Sequence, residues 1–177
     1  MKRRGVAIVI ALLAAGAAHA QRVSQLSVSV PGYQRAVLLD TVVVWTEVEA
    51  PLPATYTAVR QSLQSLDVPI TVVDSAHYFF YNPSIKASRR FLGQPMTWAM
   101  HCGADVTGVD LAQSARVTMA LAVLVDSLPN GHSRIGVALA GGAQTVDGTS
   151  RPPLPCSTTG AVEQKILDDT GLHVIKR

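Results

Sequence analysis

Two apolar-alternating runs, Ala115 to Leu128 and His132 to Gln144, flank the tripeptide Pro129-Asn130-Gly131, and no other stretch of the chain limits the fold so tightly. Val117, Met119, Leu121, Val123 and Val125 recur at every second position of the first run. Ile135, Val137 and Leu139 do so in the second, the period of strands that bury one face. The two apolar faces have to coincide across a hairpin. A two-residue Asn130-Gly131 turn would set Val125 opposite Gly136 and throw one row onto the wrong side. A three-residue loop sets Val125 against Ile135, Val123 against Val137, Leu121 against Leu139 and Asp126 against Arg134. Proline at the second position of a type I turn, followed by a left-handed glycine, is the residue order that loop requires. The chain is therefore predicted to be built around one long antiparallel hairpin with a bulged three-residue loop.

The other face of this hairpin carries Thr118, Ala120, Ala122, Gly136, Ala138 and Ala140, which are small rather than charged. Something must lie close against it; a covering helix is the expectation, with a ligand or partner surface as the alternative. Upstream, TVVVWTEVEA from Thr41 is β-branched and aromatic and reads as a strand, buried mainly through Val42, Val44, Thr46 and Val48. Pro51 and Pro53 stop it, and Pro53 suits the first turn of a helix. From Ala54 to Leu66 the apolar Tyr56, Val59, Leu63 and Leu66 recur at spacings of three and four, an amphipathic helix packed by one stripe. PITVVD and HYFFYN read as two further strands around Asp74 and Ser75, and Asn82-Pro83 as a break. CSTTGAVEQKILDD, from Cys156, reads as a helix capped by Thr159 or Gly160 and closed by Gly171, with Glu163 in its first turn, where the dipole favours an acid.

The first twenty residues have a basic head (Lys2, Arg3, Arg4), an apolar stretch from Val6 to Ala18 and a small-x-small site at Ala18-His19-Ala20. This is the pattern of a secretory signal peptide cleaved after Ala20, and its apolar stretch is shorter than the ~20 residues that span a hydrocarbon core. Localisation is therefore expected to be periplasmic or secreted, with no transmembrane segment in the mature chain. Removing three basic residues reduces 15 Lys and Arg to 12, equal to the 12 Asp and Glu. A neutral mature chain offers no basic face for phosphates, so nucleic acid is not an expected partner. Residues 21–40 read as an N-terminal arm or edge strand, and 41–177 as a single α+β domain.

Cys102 and Cys156 are the only cysteines, and in an exported chain they are expected to pair in a disulfide. His101 precedes Cys102, but adjacent side chains diverge, so a thiolate–imidazole pair is not expected. No Cys-x-x-Cys, Gly-x-Ser-x-Gly or phosphate-loop pattern occurs, and no cofactor is expected. Among the histidines, only His77 has a second potential ligand, Asp74, close in sequence, so these two are the candidates for a metal or hydrolytic site. Lys86, Arg89 and Arg90, beside the aromatic run Tyr78 to Tyr81, are candidates for contact with an anionic partner.

At VEAPLPATYTAV, Val48 to Val59, the order of strand, Ala-Pro, then helix resembles the opening of helix-grip domains of the START and polyketide cyclase type. That resemblance implies a curved antiparallel sheet gripped by helices, often around an apolar ligand. The Cys-Gly at Cys102 and the Cys-Ser-Thr-x-Gly at Cys156 also resemble blocks in small exported bacterial proteins. The expected fold is a two-layer α+β domain, an antiparallel sheet packed against two helices. The expected role is non-enzymatic binding of an apolar molecule or an envelope protein. The alternatives are a metal-dependent or other hydrolase using Asp74 and His77, and a structural assembly factor.

Overall fold

The computed structural model describes residues 27–105, 107–145 and 152–175; the expected signal peptide and the Asp147-Gly148 turn lie outside them. The strands are β1 (Ser27–Val28), β2 (Val37–Leu38), β3 (Val44–Val48), β4 (Val72–Asp74), β5 (Phe79–Ser88), β6 (Arg90–Phe91), β7 (Gln94–Pro95), β8 (Met100–His101), β9 (Arg116–Ser127), β10 (Ser133–Gln144) and β11 (Leu154–Thr158). The helices are α1 (Leu52–Ser65), α2 (Met96–Ala99), α3 (Leu111–Ser114) and α4 (Ala161–Ile175).

The β9–β10 hairpin has the expected register throughout, with Val125 opposite Ile135, Val123 opposite Val137, Leu121 opposite Leu139 and Asp126 opposite Arg134. The Gly131 amide donates to the Leu128 carbonyl at 3.1 Å and the Leu128 amide to the His132 carbonyl at 2.8 Å, with Gly131 at φ +82°. These are the bonds of a type I turn extended by a left-handed residue. A salt bridge of 3.0 Å joins Arg134 to Asp126 across the pair.

The main sheet runs β4-β5-β9-β10-β11-β8, with β3 also pairing β10, and every pairing is antiparallel. β3 and β11 share one side of β10: β3 occupies Ser133 to Val137 and β11 occupies Gly141 to Ala143. β5 does not stop at Asn82-Pro83. It accommodates the proline in a bulge between Asn82 and Ile85, where Asn82 turns its amide to the Pro69 carbonyl and accepts from Ser84 N–H. A bulge leaves proline's missing donor outside the ladder, so the strand continues.

Helices α1 and α4 cover one face, giving the two-layer α+β arrangement. Val59 and Leu63 of α1 and Val162 and Ile166 of α4 pack with Phe80, Met119, Leu121, Val123, Ile135, Val137 and Leu139 in one buried core. Burying a side chain of this size stabilises by about 1.5–3 kcal/mol, so this layer supplies most of the hydrophobic driving force. Buried hydroxyls fix the helices in place. Ser133 Oγ donates to the Ala50 carbonyl at 2.8 Å, which leaves Thr55 as donor to Ser133 at 2.7 Å, and Ser62 Oγ of α1 reaches the Ile166 carbonyl of α4 at 3.3 Å.

Three expectations require correction. First, β3 is an edge strand rather than a buried one. Val44 is 48% exposed, and Val48 alone of its residues packs against the core, because its outer side has no neighbour among the described residues. Second, Cys156 to Thr158 belong to β11, not to a helix, since their backbone groups pair with β10 and β8. Helix α4 starts at Ala161 and continues through Gly171, where an ion pair of 3.2 Å between Asp169 and His173 spans the glycine. Third, the small-residue face is covered by the N-terminal arm and not by a helix, with Val28, Val30 and Leu39 buried on Ala120, Ala122, Ala138 and Ala140. The approach is so close that a Cβ on Gly142 would lie 1.7 Å from the Pro31 carbonyl oxygen. One on Gly136 would strike Val43 and Trp45.

Candidate functional site

The first region is the disulfide clasp. Cys102 and Cys156 are bonded, each 2% exposed, and close a separation of 54 residues. The bridge lies beside the short β8–β11 ladder, in which Ser157 faces His101 and Thr158 faces Met100. Thr159 extends the clasp by donating its amide to the Ala99 carbonyl at 3.1 Å and its hydroxyl to the Trp98 carbonyl. Asp110 caps α3: one carboxylate oxygen accepts from Ala112 N–H at 2.8 Å and from Cys102 N–H at 3.3 Å, and the other bonds His101 Nδ1.

The Asp110–His101 pair, nine residues apart, was not expected; the sequence signal for it is an aspartate at a helix start, three residues before Gln113. It creates no nucleophile. The Ser157 hydroxyl points to the His101 backbone carbonyl at 3.4 Å, and the thiol that might have been activated is consumed in the bridge. Gly103 follows the bridge cysteine. A Cβ there would meet nothing within 4 Å, so the glycine serves its left-handed φ of +77°.

The second region is the β4–β5 turn. Asp74 Oδ1 accepts from the Ala76 and His77 amides at 3.0 and 3.1 Å, and Oδ2 bonds His77 Nδ1 at 2.7 Å. The His77 side-chain bond holds the Asp74 carboxyl below the usual carboxylate range. The two candidates are thus brought together, but the carboxylate is engaged in shaping the turn. Among the described residues no group of three or more His, Cys, Asp or Glu is placed to hold a metal ion.

Beside this turn, α1 and the edge of β4–β5 enclose an open groove of about 520 Å³. Tyr56, Leu63, Val68, Ile70, Val73 and Phe80 give its apolar lining, and Arg60, Gln64, Asp67 and Ser75 supply the polar groups. Tyr56 stacks on Phe80 with centroids 4.8 Å apart and meets Tyr78 edge-on at 5.3 Å. Burial raises the Tyr56 phenol above its ordinary pKa, with the nearby Arg60 acting in the opposite sense. Val73 is 57% exposed at the rim, while Arg60 is exposed and makes no ion pair among the described residues. The interior between helices and sheet is filled by the core side chains, so a guest would have to sit at a surface groove such as this one.

The third region is basic. Lys86 lies on β5 opposite Thr118, on the face that carries the arm, and Ser88 lies opposite Arg116 on the same face. Arg89 follows in a left-handed conformation at φ +64°, and Arg90 turns its guanidinium to the Gly93 carbonyl. All three candidate cations are exposed, and Arg116, which sequence reasoning missed, joins them at one end of the sheet.

Compared with known proteins, the chain matches no family model, and no curated protein matches it significantly.

Proposed function

We propose that this is a non-enzymatic exported protein, periplasmic or secreted, that binds an apolar molecule at the groove between α1 and the β4–β5 hairpin. The observation that carries the reading is the groove itself. Its roughly 520 Å³ falls in the range of small-ligand sites, its lining combines aromatic and aliphatic side chains with polar ones, and the Arg60 guanidinium makes no ion pair among the described residues. That combination suits an amphipathic guest, with the apolar body along Tyr56, Leu63, Val68 and Phe80 and an acidic group at Arg60.

Lys86, Arg89, Arg90 and Arg116 would then place the protein against an anionic envelope surface from which such a guest is taken. The disulfide and the expected leader both support an extracytoplasmic setting. The test is native mass spectrometry of protein purified from its own envelope, with anilinonaphthalene sulfonate as a competing probe in solution. A retained apolar guest, and probe binding weakened by Val73→Asp and by Arg60→Ala, is the expected result. No retained guest together with probe binding indifferent to both changes overturns the reading. Separately, Arg89→Ala/Arg90→Ala should weaken sedimentation with anionic phospholipid vesicles, and unchanged sedimentation removes the surface contact.

A further inference from the structure

Among the described residues β3 pairs with a strand on one side only, and its other side is an open edge of the sheet. It presents a regular five-residue ladder with no Lys, no Pro and no bulge, and Val42, Val44 and Trp45 are 36%, 48% and 37% exposed. Protein edges of this kind are ordinarily blunted, because their free backbone groups pair with any compatible strand. The other edges are shorter: β4 has three residues and ends on Asp74, and β8 has two. Among the described residues no strand other than β10 pairs with β3.

We propose that β3 is covered by β3 of a second copy of this chain, in an antiparallel pairing about a two-fold axis through Thr46. The strand is self-complementary in that register. Thr46 faces its own counterpart, Val44 faces Val48 of the second copy, and Trp45 faces Glu47 of the second copy. The faces match as well. Val44 and Thr46 lie opposite Val137 and Ile135 of the core, so they point toward the helical layer, whereas Trp45 and Glu47 lie opposite Gly136 and Arg134.

On the helical side, a groove of about 490 Å³ runs between β3 and α4, with Val48, Ile135, Leu167 and Val174 as its apolar lining and Thr46, Glu47 and Glu49 along the strand. Gly171 leaves it open, since no atom stands within 4 Å of where its Cβ would be. The exposed Val44 of the second copy, placed opposite Val48, stands at this groove. On the other side, the Arg134 guanidinium lies 4.2 Å from the Trp45 ring centroid. The carboxylate of the second copy's Glu47 arrives beside that cation, and the two-fold repeats the contact. A pairing of this kind closes on itself and leaves no β3 edge for further addition. It uses a surface separate from the ligand groove, so it stands or falls independently.

The test is sedimentation of the oxidised protein from low micromolar to submillimolar concentration, with cysteine cross-linking to fix the register. A monomer–dimer equilibrium is expected. Thr46→Lys, which sets two like charges face to face at the axis, should weaken it roughly tenfold or more. Thr46→Cys should give a covalent dimer, Val44→Cys alone should not, and Val44→Cys/Val48→Cys should. A monomer throughout, a dimer indifferent to Thr46→Lys, or cross-links in another pattern each overturns the proposal. Because Thr46→Cys is a small change on an exposed strand, the cross-link remains informative if the lysine variant folds poorly.

Discussion

Replacing Gly142 by alanine should detach the N-terminal arm while leaving the hairpin beneath it intact. Gly142 sits in β10 between Thr118 and Pro155, and an added Cβ would lie 1.7 Å from the Pro31 oxygen and 2.6 Å from its carbonyl carbon. Ordinary contact begins at 3.4 Å, so the carbonyl must retreat by at least 1.7 Å, the difference of the two. It has little room to do so. A Cβ on the next residue, Gly32, would be 2.3 Å from the Leu154 carbonyl carbon, and the Tyr33 hydroxyl is tied to the Cys156 carbonyl at 3.0 Å.

Val28, Val30 and Leu39 are each 2–5% exposed on the sheet, about 1.5–3 kcal/mol apiece in gross burial. Ordering the arm backbone opposes this by about 1–2 kcal/mol per residue, which leaves a narrow margin. Overpacking of this kind typically costs about 1–3 kcal/mol. If that cost falls on arm docking, amide exchange across 27–43 accelerates roughly 5- to 150-fold. Hydrogen exchange read by peptide mass spectrometry is the assay, with β9 and β10 as internal reference. The neighbouring Gly141→Ala is the control, because its Cβ would meet the movable end of Met100 at 2.9 Å on the opposite face. Arm exchange within twofold of wild type in Gly142→Ala, or equal acceleration in both variants, would refute the reasoning.

Two further outcomes follow from buried chemistry. Glu163 is 1% exposed, and desolvation raises its carboxyl pKa despite the Thr158 hydroxyl 2.7 Å away. A raised folded-state pKa contributes stability that is complete below the unfolded value, near 4.3, and is lost as pH rises through the folded value. Glu163→Gln should therefore gain on wild type with increasing pH in urea titrations, and a pH-independent gap would count against it. Removing the bridge as Cys102→Ala/Cys156→Ala releases a 54-residue separation and should cost about 4 kcal/mol in the same titrations. A loss below about 1 kcal/mol would show that the loop is already confined by its β8–β11 pairing.

The hairpin register was legible because both strands alternate, and only one loop length brings Val125 to Ile135 without burying a polar row. The α1 stripe was legible for the same kind of reason, since Val59 and Leu63 repeat with the helix. β3 shows the limit. Val42, Val44, Thr46 and Val48 alternate as a buried strand would, but burial depends on what lies beyond, and β11 takes only the neighbouring segment of β10. Ser157, Thr158 and Thr159 resemble helix-capping residues, and only their pairing with β8, a segment more than fifty residues away, makes two of them strand. The small face foretold a close neighbour without naming it, because the arm has too few apolar residues to announce itself. At the sites, the cysteine pair followed from count and compartment. The Arg60 groove did not, because its walls come from one helix and a hairpin edge whose proximity is tertiary.

The arm has a consequence for the order of assembly. Its seat is made by β9, β10 and the Leu154–Pro155 backbone, and the Tyr33 hydroxyl reaches across 123 positions to Cys156. The apolar part of that seat is complete by Ala140, whereas the close approach at Gly32 and the Tyr33 bond need residues 154–156, so the arm is held by contacts far apart in sequence. A chain truncated before Leu154 would keep the arm's apolar seat on β9 and β10 and lose the contacts that anchor Gly32 and Tyr33, so the far end of the polypeptide acts as a latch on an arm already placed.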